Sequence, residues 1–181
     1  MPEIIPNLHP WLVHFPIALV SVSALFHVAA IATRGKACAS HCAVLAHILL
    51  WLGALAAIPT AIFGWQAFNS VNHDTVGHVA MLSHRAWALA TLMILVVLAG
   101  WDAWRHKADE IPAWWFAGAV IGAWCMVAAT AWHGGELVYR HGLGVMALPQ
   151  ITSGGYHEQH QVHEHDASPD PGHDHHDDDV H

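Results

Sequence analysis

The sequence predicts an all-α integral membrane protein, a bundle of four transmembrane helices followed by a disordered, His- and Asp-rich C-terminal tail. Three observations carry this. Only 11% of the 181 residues are charged and 55% are hydrophobic, against about 25% charged in an average soluble domain. Four segments stay apolar for the ~20 residues that a helix needs to cross a bilayer, and they are apolar all round, where a soluble bundle would show charged faces. The charge lies apart from them. Eight acids after residue 150 carry the whole net charge of −8, while six acids balance the six Lys and Arg before it. No basic face is offered to nucleic acid.

The first helix is expected over residues 10–33, the second over 43–67, the third over 84–104 and the fourth over 112–132, within a membrane domain of residues 1–150. Pro16 falls in the first turn of the first helix, where a missing N–H costs nothing. Gly118 and Gly122 give the fourth helix a small-residue face for packing within the bundle. Gly134 and Gly135 read as its end, with Leu137, Val138 and Tyr139 forming either a lid over the outer face or an interfacial anchor. The start, Met1 to Pro6, lacks the basic region of a cleaved signal peptide, so the first segment reads as an anchor.

Arg34 and Lys36 lie in the first loop and Arg105 and Lys107 in the third, while the second loop, residues 68–83, has no Lys or Arg. By the positive-inside rule the first and third loops face the cytoplasm and both termini face the periplasm of a bacterial inner membrane, with Arg85 and Arg140 as exceptions. Trp11, Trp65, Trp87 and Trp132 then mark the outer boundary, and Trp101, Trp104, Trp114 and Trp115 the inner one; Trp51 and Trp124 read as packing residues. Cys38 and Cys42 flank His41 in a cytoplasmic loop, and with Cys125 they give no disulfide framework.

This topology gathers His9, His14, His73, His78, His84, His133 and His141 toward the outer side. His14 lies one turn into the first helix, His84 opens the third and His133 closes the fourth. Ionisable groups inside a bilayer are costly and mark functional sites, and neutral imidazole ligates metals and haem. Cofactor-binding is therefore expected of His14, His84, His133 and His141. His27 and His47 lie deeper, on the inner side, and are candidates for a second site. Thirteen residues separate His14 from His27, which leaves them about 140° apart around a helix and argues against two haems stacked on one face.

The run His9 to Leu19 (HPWLVHFPIAL) and the run Gly134 to Val145 (GGELVYRHGLGV) are distinctive. Together they resemble a bacterial family of four-helix membrane proteins that carries only a domain-of-unknown-function label. The resemblance covers about residues 7–146, and His84 followed by Arg85 resembles the opening of that family's third helix. Similar domains occur joined to, or beside, Rieske iron–sulfur and c-type cytochrome domains, which implies electron transfer. This chain has no Cys-x-x-Cys-His haem-attachment motif and no Rieske pairs, so any such centre would belong to a partner.

The tail, residues 151–181, holds eight His and eight acids. It cannot bury a core, and His157, His160, His163, His165, His173, His175 and His176 suit loose binding of divalent metals. Three functions remain open. The chain is a membrane electron-transfer subunit holding a non-covalent b-type haem near the outer face, served by a periplasmic cytochrome or iron–sulfur partner. Alternatively it binds copper or zinc through the outer histidines and the tail, or it anchors a larger respiratory complex in the lipid. No nucleophile–base pair or phosphate-binding loop suggests an enzyme in its own right.

Overall fold

Pro16 decides how the first span begins. It has no N–H to give the Leu12 carbonyl, and its ring crowds that group. Because helical structure starts already at His9, Pro16 falls within the helical run and breaks it at Val13, into α1 (His9–Leu12) and α2 (His14–Ala32). The Thr60 hydroxyl, bonded to the Ala56 carbonyl at 2.8 Å, also approaches the Leu12 carbonyl that Pro16 leaves over, at 3.4 Å. The remaining elements are α3 (Cys38–Ser70), α4 (Thr75–Arg105) and α5 (Trp114–His141). This computed structural model describes residues 8–70, 75–105 and 110–141. The tail and its seven candidate metal ligands lie outside the described residues, as does His73.

Four spans are long and apolar enough to cross a membrane: His9–Ala32, Cys38–Asn69, Gly77–Arg105 and Trp114–Arg140. Short connections make sequence neighbours antiparallel. α2 packs on α3, α3 on α4, α4 on α5, and α5 closes the ring onto α2. Among the described residues the diagonal helices do not approach one another closely.

The tightest seam joins α2 and α3. α3 turns Ala39, Ala43, Ala46, Leu50, Ala54 and Ala57 inward, and all are buried. At Gly53 an added Cβ would stand 2.8 Å from Val20 Cγ2 and 3.4 Å from the Val20 backbone nitrogen. Lipid is as apolar as leucine, so it is this close packing, with its dispersion contacts, that holds the helices together. Gly118 and Gly122 do not serve that purpose. A Cβ at either would meet nothing within 4 Å, so the expected packing face of the last helix points outward.

Three helices overrun their expected limits of 43–67, 84–104 and 112–132. The largest correction concerns Gly134 and Gly135, which lie inside α5 and do not end it. Glu136 bonds Arg140 at 2.9 Å, one turn on, and lies 3.7 Å from His133, which supports the added turns. Tyr139 stands exposed on this extension, so residues 137–139 fold no lid over the histidines.

The centre of the bundle is apolar and dry in character. Val20, Leu50, Leu95 and Val120 are at most 1% exposed, and Ala24, Ala54, Ala99, Ala123 and Val127 complete the layer. Leu25, Ile62 and Val97 point out, as lipid-facing side chains must. Exposed Trp11, Trp65 and Trp132 ring one end of the bundle, and Trp101, Trp104, Trp114 and Trp115 ring the other, matching the aromatic belts of a membrane protein.

Candidate functional site

The polar side chains collect at the two ends of the bundle, named here by His9 and by Asp102. At the His9 end, the His9 ring reaches across to α3 and its Nδ1 donates to the Thr60 carbonyl at 3.0 Å. The ring lies against Gly64, where an added Cβ would come within 2.9 Å of His9 Cε1. His84, on α4, sits in the same way on Gly134 of α5, with a would-be Cβ at 3.1 Å from its Cε1. Its Nδ1 is buried, the Thr130 backbone lies beside the ring as a hydrogen-bonding neighbour, and His9 and His133 are its electrostatic neighbours. His133 stacks on Trp87, with ring centroids 5.5 Å apart. Beside them the Arg85 guanidinium lies over the Trp65 ring at 4.3 Å.

Of the four cofactor ligands expected from the sequence, the structure brings His84 and His133 together and places His14 elsewhere. The His14 ring is exposed, and its nearest polar neighbour is the Trp11 carbonyl at 3.4 Å. His9 takes the inward position. Five residues separate the two, and about 100° per residue puts them on different faces. His141 closes α5, and its side chain is not among those described.

At the Asp102 end, His27 and His47 meet with ring centroids 5.7 Å apart and planes at 79°. His27 Nδ1 donates to the Ser23 carbonyl at 2.9 Å, which makes Nε2 the basic nitrogen. That atom is buried without a partner among the described residues. His47 Nδ1 donates to Asp102 Oδ2 at 2.9 Å, and the Trp51 indole N–H donates to the same oxygen at 2.9 Å. All three ionisable side chains are nearly closed off: His27 is 0% exposed, His47 5% and Asp102 6%. Trp51 and Trp124, which read as packing residues, are also donors, the latter to Ser21 Oγ at 3.0 Å.

Asp102 and His9 carry the signal that the sequence reading passed over. Asp102 lies inside the third expected span, where a carboxylate is expensive. Eighteen residues separate His84 from Asp102 on the unbroken α4. Eighteen residues are five whole turns, so the two share a helix face about 27 Å apart, one at each polar end. Among the described residues no three His, Cys, Asp or Glu side chains converge to hold a metal ion.

No curated protein and no solved structure matches the chain. One family model does, described as a predicted membrane protein (DUF2231), over residues 5–147, which takes in all four spans and both polar ends. The chain belongs to this DUF2231 family of membrane proteins.

Proposed function

We propose that the chain is a membrane electron-transfer subunit that holds one non-covalent b-type haem at the His9 end, between His9 and His84. The observation that carries this is the placing of the two rings. They come from α1 and α4, which make no close backbone approach to each other among the described residues, and each is seated on a glycine of a third helix. Facing side chains across a bundle core are the usual way helices hold such a cofactor. A porphyrin brings four nitrogens and asks two imidazoles of the protein, whereas a structural zinc ion asks for four protein ligands and a catalytic one for three.

The pair at the Asp102 end does not fit a haem. His27 and His47 stand on neighbouring helices, and one turn from His27 the Ser23 hydroxyl bonds the Ala46 carbonyl at 2.8 Å across the seam. Helices that close leave no slot for a macrocycle.

At the His9 end the chain's own groups have definite tasks. The Thr60 carbonyl fixes the His9 tautomer so that Nε2 is its basic nitrogen. Gly64 and Gly134 let both rings lie close to backbone. Arg85 would supply a cation for the propionates. The haem, when bound, supplies the one-electron chemistry, and the protein tunes and positions it. The loop charges support a periplasmic position for this end, where a cytochrome or iron–sulfur partner could reach it.

The test is an absorption spectrum of the detergent-purified protein, oxidised and then dithionite-reduced. Sharp reduced α and Soret bands are expected, lost in His9→Ala and in His84→Ala and kept in His14→Ala. A featureless spectrum from protein produced with ample haem sinks the reading and turns attention to bound copper or zinc.

A further inference from the structure

The Asp102 end opens into a pocket of about 200 Å³ beside the His47–Asp102 pair. Trp101, Trp115, Arg105 and Glu110 also line it. A cavity of about 150 Å³ holds a benzene ring, so this one has the size for a single substituted aromatic ring. Its charges are mixed: two carboxylates, Asp102 and Glu110, repel an anion, and Arg105 offsets one of them. A neutral guest with polar groups on an aromatic body suits it. The walls agree, since Trp101 and Trp115 offer indole faces on which such a ring can stack.

The pocket lies at the level of the exposed Trp101, Trp104, Trp114 and Trp115, the depth of the headgroups, where a lipid-borne guest would approach. Its wall includes His47 and Asp102, joined by a hydrogen bond, and Trp51 donates to the same carboxylate from outside the pocket. Behind that wall His27 Nε2 is fully buried and unpartnered, a second basic nitrogen next to His47.

We propose that this pocket binds the headgroup of a membrane hydroquinone, with one ring hydroxyl donating to the His47–Asp102 pair and the ring against Trp101 and Trp115. A quinol is the neutral, aromatic, lipid-soluble molecule with hydroxyl donors that these walls select. The proposal concerns binding and does not rest on the haem at the His9 end.

The experiment uses the full chain in lipid nanodiscs, titrated with the fluorescent quinol analogue 2-heptyl-4-hydroxyquinoline N-oxide. Saturable quenching at one site per chain is expected, reversed by decylubiquinol. Trp115→Ala and Asp102→Asn should each raise the Kd at least about tenfold, the equivalent of 1.4 kcal/mol. Trp115 is 48% exposed, so its variant keeps the fold even if the Asp102 variant does not. His84→Ala should bind as the parent does while losing any haem bands, which separates this proposal from the preceding one. Quenching that rises with lipid and never saturates would overturn it. So would saturable binding that Trp115→Ala leaves unchanged.

Discussion

Asp102 holds His47 and Trp51 through a single oxygen, Oδ2, with both contacts at 2.9 Å. The two donors stand one turn apart on α3, and the acceptor is on α4, so one buried carboxylate ties two helices of the bundle together. In lipid the alternative for each N–H is no partner at all. Asp102→Ala should therefore cost about 1–3 kcal/mol, and Trp51→Phe, which removes one donor and leaves the carboxylate satisfied by His47, about 1 kcal/mol. Asp102→Asn keeps an oxygen in place and should fall between them. Unfolding of the detergent-solubilised protein in SDS, followed by circular dichroism, reads the order. Equal stability for Asp102→Ala and the parent would mean that the network contributes nothing net.

The glycine seats give a second prediction, about the proposed haem. A methyl group at Gly64 would come within 2.9 Å of the His9 ring, and one at Gly134 within 3.1 Å of the His84 ring. Either ring would have to move by a few tenths of an ångström or more, enough to disturb how it could hold a haem without unfolding a helix that alanine otherwise favours. Gly64→Ala and Gly134→Ala should lower haem retention or shift the Soret maximum. Gly118→Ala and Gly122→Ala, which meet open space, should not. An identical spectrum in all four variants would remove the seats from the argument.

Membrane insertion was legible in the sequence because hydropathy is a sum over many residues and tolerates local error. Helix ends were less so. Gly134 looked like a terminator by the general rule for glycine, but its lack of a side chain answers a tertiary need, the His84 ring, which no local signal carries. His14 and His9 show the same limit. Both lie near one end of the first span, and only the break that Pro16 imposes at Val13, with the Thr60 carbonyl as acceptor, decides which ring turns inward. The Asp102 end was half visible. His27 and His47 stood out as a second group, while their carboxylate was counted only among the six acids that balance the Lys and Arg. The eighteen-residue spacing of His84 and Asp102 was the available clue, since five whole turns put both on one face.

Gly53 and Val20 offer a test of what packs α2 on α3. Their would-be contact is 2.8 Å to a side-chain methyl and 3.4 Å to backbone, so Gly53→Ala overpacks the seam and should cost about 1–3 kcal/mol. Val20→Ala opens space at the same point, and its own cost is the cavity it leaves in the apolar layer. Combined, the two should be less destabilising than their sum, a coupling of about 0.5 kcal/mol or more. The SDS unfolding series would measure it. Strict additivity would show that the helices relax apart and that the seam is not set at Gly53.

The orientation of the bundle can be read from its own cysteines. Cys38 is exposed at the start of α3, just past Arg34 and Lys36, whereas Cys125 is exposed halfway along α5, where the surroundings of a lipid-facing thiol are hydrocarbon. Maleimides react with the thiolate, which needs water to form. In a Cys42→Ser background, a membrane-impermeant maleimide should therefore label Cys38 and leave Cys125 untouched from either side. With the first loop in the cytoplasm, Cys38 should react in inverted membrane vesicles and stay protected in intact spheroplasts. Labelling in intact spheroplasts would put the His9 end inside the cell, and a periplasmic redox partner for that end would have to be abandoned.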